Sequence, residues 1–252
     1  MVSRILVALY GLASYIAFLL TFVYAIGFVG NWPILPRTID GDVEGPFATS
    51  LMVDVGLLLL FATQHSAMAR RGFKDVLTRF IPQAAERSTF VLFSSAALAT
   101  LFSCWRPLGG LVWRVEGSAA LALMVLAAAG WLLVLASTFL INHWDLFGLR
   151  QVWLHLRGQP YGHLRFRTPG PYRVVRHPLY AGFIIAFWST PVMTLTHLLF
   201  AVVTTGYIVV AIQLEERDLL RELGRDYAQY RRRVPMLLPR LRSRDVEIVD
   251  VP

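Results

Sequence analysis

Four stretches of this chain, residues 5–29, 47–68, 89–105 and 118–141, are predominantly apolar, and a fifth, 179–214, is longer still. A helix needs about 20 apolar residues to cross the hydrocarbon core of a bilayer. Inside that core every backbone N–H and C=O must find its partner within the protein, so uninterrupted runs of this length become α-helices. With 56% hydrophobic and only 16% charged residues among 252, a water-soluble domain is excluded. The expected fold is an all-α polytopic integral membrane protein with five to six membrane helices. The first run continues to Val29, too long for the core of a cleaved signal peptide, and reads as a retained helix. A single cysteine, Cys104, excludes an intramolecular disulfide and a cysteine-rich metal site. With no internal repeat, residues 1–252 read as one membrane domain.

The 179–214 stretch is too long for one span and slightly short for two. Pro191 near its middle, beside Ser189 and Thr190, predicts a tight helical hairpin. Charge supports it. Of the 24 Lys and Arg, 21 precede residue 5, lie in 70–87 or 150–176, or follow 214; only Arg37, Arg106 and Arg114 fall in the alternate loops. The positive-inside rule then puts the N-terminus, the 143–178 loop and the tail in the cytoplasm. Because loop and tail share a side, the stretch between them must enter and return. The net charge of +8 is what membrane topology and anionic lipids call for, and no nucleic-acid role is needed for it. After the hairpin, Leu219, Leu220, Leu223, Tyr227 and Tyr230 recur at helical spacing up to Pro235, predicting a cytoplasmic amphipathic helix in the tail of 215–252. The organisation expected is membrane helices over 1–142, a cytoplasmic catalytic loop over 143–178, the hairpin, and the tail.

The segment GPYRVVRHPLYAG, residues 170–182, sets two arginines, a histidine and two prolines against the hairpin. Pro178 suits the first turn of a helix. The unpaired N–H groups there, the helix dipole and Arg176 together make an anion site beside His177. The returning leg brings Glu215 and Glu216 to the same surface. A ligand with both a carboxylate and a cationic or hydroxyl-rich part suits that pairing.

These residues resemble the isoprenylcysteine carboxyl methyltransferase superfamily of membrane methyltransferases. The shared pattern is Gly170-x-Tyr172, Arg176-His177-Pro178-x-Tyr180-x-Gly182, a hairpin, Glu215-Glu216, Leu220, Tyr227-x-x-Tyr230 and Val234-Pro235. The resemblance implies S-adenosyl-L-methionine as cofactor, bound by Tyr172, Arg176, His177, Pro178, Tyr180, Gly182, Glu215 and Glu216. Upstream, Gln64-His65-Ser66-x-Met68-Ala69-Arg70, Glu86-Arg87-Ser88-Thr89 and Asn142-His143-x-Asp145 through Gln151 are similar to the bacterial methanethiol S-methyltransferases. That resemblance spans most of the chain and implies methylation of methanethiol to dimethyl sulfide. A lipidic or prenyl-thioether methyltransferase, a sterol-type NADPH reductase and a non-catalytic relative remain as alternatives. No glycine-rich strand–turn–helix motif for a soluble methyltransferase is present.

A thiol reacts as its thiolate, so a base or a nearby cation is expected. The candidates are His143 with Asp145 and Arg150 where the fourth span ends, then Tyr172. His65 is the remaining candidate, eleven residues from Asp54 and on the same face of the second span. Asp54 is expected in a polar contact between helices, and His155, His163 and His197 carry no expected role.

Overall fold

The computed structural model describes residues 1–162 and 166–239; His163 and Arg165 lie outside the described residues. Among the described residues, five helices are long and apolar enough to cross a membrane. In chain order, the helices begin with α1 (Val2–Val29), α2 (Phe47–Ala69), the short α3 (Arg71–Leu77), α4 (Glu86–Cys104) and α5 (Gly117–Ile141). Next come α6 (His143–Leu146), α7 (Leu149–Arg157), α8 (Pro178–Trp188), α9 (Leu195–Leu223) and α10 (Arg225–Arg233). Two short strands, β1 (Leu111–Arg114) and β2 (Val192–Thr194), make an antiparallel pair. The protein is thus an all-α integral membrane protein. In α4, Glu86 supplies an acidic residue to the first turn, where the helix dipole favours it.

The two legs of the hairpin are unequal. α8 has eleven residues and reaches about 16 Å, roughly half the hydrocarbon core. α9 has 29 residues and runs about 43 Å, carrying its last turns beyond that core. The turn between them is bound to the α4–α5 loop: Val115 N–H donates to Pro191 O at 2.8 Å and Leu195 N–H to Gly110 O at 3.0 Å. On this face, which carries few cations, Phe28, Ile39, Trp105 and Met193 are almost wholly buried. Trp105 Nε1–H donates to Ile39 O at 3.1 Å there.

Around α9 the structure differs from the sequence expectation. The amphipathic tail is two helices: its first part continues α9 through Glu215 and Glu216 to Leu223, and Gly224 (φ 55°) breaks it from α10. A positive φ there suits glycine, and the chain turns before Arg225. Val234 is extended, as a residue before proline should be. The tail then passes over the start of α8, where Arg176 N–H donates to Pro235 O (2.8 Å) and His177 N–H to Met236 O (3.1 Å).

Packing explains which helices share a wall. α4 lies between α1 and α2, and α8 lies along α5. At the α5–α8 crossing Gly130 and Gly182 face each other. A Cβ on Gly182 would stand 2.7 Å from the Gly130 carbonyl oxygen, and one on Gly130 would stand 2.7 Å from Ala186 N. Close backbone approach through small residues is how membrane helices gain packing energy without a hydrophobic drive.

Candidate active site

The helices surround a cavity of about 1870 Å³. Its wall includes His65, His143, Asp145, Tyr172, Arg176, His177, Tyr180 and Glu215. Eight sequence candidates drawn from α2, α6, the 170–177 segment, α8 and α9 are thereby brought to one space. Arg150, Pro178, Gly182 and Glu216 are placed elsewhere. Gly182 sits at the α5–α8 crossing, and Pro178 is buried as the first residue of α8. Asp54 is buried too, and its Oδ1 accepts the Arg106 backbone N–H at 2.9 Å, a contact with a loop rather than a helix. His197 is buried with Nε2 bonded to Phe187 O at 2.8 Å, whereas His155 lies on the cavity wall.

The adjacent carboxylates have separate partners. Tyr180 O–H donates to Glu215 Oε2 at 3.0 Å on the cavity wall. Glu216 is 4% exposed and takes Arg176 Nε at 2.7 Å and His177 Nε2 at 3.1 Å on Oε1, and Arg231 Nε at 3.0 Å on Oε2. Arg176 also donates to the carbonyls of Arg231 and Val234. Arg176 and Glu216 therefore fasten α8, α9 and the tail together. Such a pair contributes less than its Coulomb attraction suggests, because both charges leave water, yet removing one member leaves the other uncompensated.

Tyrosines cluster around this lock. Tyr230 O–H donates to Tyr172 O at 2.6 Å. The hydroxyls of Tyr172 and Tyr227 are buried without a partner among the described residues, and both residues line the cavity. Tyr172 Oη lies near Ser137 but outside hydrogen-bond geometry. Burial, then the Glu215 charge, push the Tyr172 phenol upward, so it stays protonated at neutral pH. Burial raises Tyr227 likewise. Tyr227 was legible in sequence as part of a helical pattern and of the Tyr227-x-x-Tyr230 resemblance; its place on the cavity wall depends on the turn at Gly224.

His143 is 2% exposed and stacks on Phe139 with centroids 4.2 Å apart. The Thr138 hydroxyl gives its single proton to Leu135 O at 2.7 Å. It must therefore accept from His143 Nδ1–H at 2.8 Å, which leaves Nε2 to accept the Tyr15 O–H at 2.7 Å. Burial lowers the pKa of His143, which favours this neutral form. Asp145 is not its partner. Asp145 pairs with Arg150 at 2.9 Å and accepts the Tyr161 O–H at 3.2 Å, while its N–H is capped by Asn142 Oδ1 at 3.1 Å. Arg150 also lies over the Tyr161 ring, 5.0 Å from its centroid. His65 is held differently: Nδ1 is 3.1 Å from Ser94 Oγ, and Phe61 and Phe90 flank the ring. Next to it, Ser66 Oγ meets the Tyr207 hydroxyl of α9 at 3.1 Å, tying α2 to the helix that carries Glu215.

Fold and site together define a polytopic, all-helical membrane protein with a deep cavity between its spans. Methanethiol S-methyltransferase of Crocosphaera subtropica is 53% identical over 238 residues, 94% of this chain and 93% of that protein. The Mycobacterium tuberculosis protein of the same name is 52% identical over 94% and 97%. Nurim of Bos taurus is more distant, at 32% over 67% and 68%. The chain belongs to the methanethiol S-methyltransferase family. No protein-family model and no solved structure matches it.

Proposed function

We propose that this protein methylates methanethiol to dimethyl sulfide, using S-adenosyl-L-methionine, on the cytoplasmic side of a bacterial inner membrane. The observation that carries the reading is the 50–53% identity to methanethiol S-methyltransferases over nearly the whole chain. The cavity supplies the chemistry. A buried hydroxyl without a partner calls for an explanation, and Tyr172 and Tyr227 present two on one wall beside the Glu215 carboxylate. Ribose hydroxyls, an amino group and a purine edge are the partners such groups take, so the residues fit the cofactor. Tyr172, Tyr180, Glu215 and Tyr227 would hold it, together with the N–H groups at the start of α8. Arg176, His177 and Glu216 would fix that wall in place. When bound, S-adenosyl-L-methionine supplies an electrophilic methyl group on a sulfonium.

The protein's own contribution is positioning and proton transfer. Aromatic and aliphatic side chains of α1, α4, α5 and α8 exclude water from the thiol, and the helices hold it in line. Of the three imidazoles on the wall outside the Arg176 lock, His65, His143 and His155, His143 has both nitrogens engaged and positions its surroundings. His65 would take the thiol proton at Nε2, with Nδ1–H donating to Ser94 Oγ. The cytoplasmic placement rests on the charge bias, with membrane lipids facing the apolar outer surface.

The test is headspace dimethyl sulfide from membranes supplied with methanethiol and S-adenosyl-L-methionine. Gas above the empty-vector level is the expected result. Its absence, with cofactor binding confirmed, would overturn the reaction; absence of cofactor binding would overturn the class.

A further inference from the structure

The cavity is far larger than its proposed substrate. Pockets that hold drug-sized ligands run about 300–1,000 Å³, and this one is about 1870 Å³. Its shape follows from α9, which lines it from Phe200 to Leu223, a rise of about 34 Å. Charge on that stripe is confined to one end, at Glu215, Asp218 and Glu222; the other end carries Phe200, Thr204 and Ile208. Facing the apolar end are Trp131, Phe183 and Phe187. The few hydroxyls there are satisfied within their own helices: Thr204 donates to Phe200 O at 2.6 Å and Ser95 to Val91 O at 2.9 Å. The deep branch thus offers apolar surface with little to bond a polar group.

We infer that the deep branch receives an apolar chain, so that the enzyme's substrate class extends from methanethiol to neutral alkanethiols of several carbons. This rests on the methyl-transfer reading of the same cavity. A thiol whose tail carries an ammonium or carboxylate would leave that charge unpaired among rings, and it is excluded. For an alkanethiol the S–H bond breaks and its proton passes to the solvent by way of the protein. A new sulfur–carbon bond forms to the methyl group; the bond from that methyl to the cofactor's sulfonium breaks, leaving a neutral thioether. The products are a methyl alkyl sulfide and S-adenosylhomocysteine. Burying each further methylene lowers the KM by about fourfold until the branch is filled.

The experiment uses the full-length protein in membranes with S-adenosyl-L-methionine and, separately, methanethiol, butanethiol, hexanethiol and cysteine, each methyl sulfide being measured by gas or liquid chromatography. Two variants that narrow the branch from different helices, Thr204→Trp on α9 and Ala25→Trp on α1, where Ala25 also lines the cavity, are run beside the wild type. The expected result is methylation of butanethiol and hexanethiol with falling KM, and none of cysteine. Each folded variant should raise the hexanethiol KM at least tenfold while methanethiol kcat/KM stays within twofold. Dimethyl sulfide without turnover of, or competition by, the longer thiols overturns this inference alone. So do variants that slow all thiols equally. No dimethyl sulfide from the wild type overturns the methyl-transfer reading on which it rests.

Discussion

Glu215 and Glu216 are neighbours in the chain and look in different directions. Glu215 takes the Tyr180 hydroxyl on the cavity wall, while Glu216 turns to the buried guanidinium of Arg176 at 2.7 Å. Successive residues on a helix differ by about 100°, so one adjacent acidic pair can serve both a ligand and the frame around it.

Substitutions should therefore separate the two. Glu215→Gln is expected to keep the thermal midpoint in detergent within a few degrees while weakening S-adenosyl-L-methionine binding by about tenfold, the loss of one charge-assisted hydrogen bond. Glu216→Ala leaves Arg176 and His177 buried without their anion and should cost about 3–5 kcal/mol of stability. Thermal unfolding and cofactor titration on both variants check this. Equal melting losses would remove the distinction.

Acid should loosen the region around His143. Burial depresses its folded-state pKa, so the unfolded chain binds the extra proton more readily. Its contribution is complete above the unfolded value of about 6.5 and is lost as pH falls from there through the folded value. The expected slope is at most about 1.4 kcal/mol per pH unit. Midpoints measured from pH 7.5 down to pH 5 should fall more steeply for the wild type than for His143→Gln, which cannot take up the proton.

Gly182 is part of the cofactor motif by resemblance, but its place is the crossing with Gly130. Gly182→Ala puts a methyl 2.7 Å from a carbonyl oxygen and 2.9 Å from Val134 N, which are both backbone atoms. A displacement of α8 costing about 1–3 kcal/mol is expected. The readout is a lowered midpoint accompanied by weaker cofactor binding, since Tyr180 moves with the helix. A variant of unchanged midpoint that fails to bind would instead mean direct contact between residue 182 and the ligand.

Orientation can be read with cysteines. On a Cys104→Ser background, Glu116→Cys lies in the α4–α5 loop and Asp226→Cys on α10, and both positions are exposed. In spheroplasts a membrane-impermeant maleimide should label position 116 and spare 226 until the cells are lysed. The opposite pattern would reverse the assignment drawn from the charge bias.

Helix number and class were legible because run length reports directly on a bilayer. The extents of the hairpin legs were not. Pro191 marks the turn correctly, but nothing in residues 179–190 says that the turn binds β1 and ends α8 at Trp188. Leu219, Leu220 and Leu223 repeat at the same spacing whether a helix starts afresh or continues a span, so the break at Gly224 needed the backbone. The Arg176–Glu216 meeting followed from hairpin parity, whereas its saturation by Arg231 and the tail carbonyls depends on where residues 231–236 return. His143 was a candidate on sequence alone. Its partner Tyr15 is 128 residues away, and such pairings leave no local signal.

The half-length α8 gives the molecule two unlike ends. On one face, strand pairing and buried rings stitch loops together; on the other, charged residues of α3, α4 and α9 surround the ligand space. Under the proposed reaction the products then part by polarity. Spent cofactor, being ionic, must go back through the charged rim by which it came, whereas a neutral sulfide has lipid on every side and no need of a door. Methylation becomes a one-way step in which the bilayer itself carries the volatile product off.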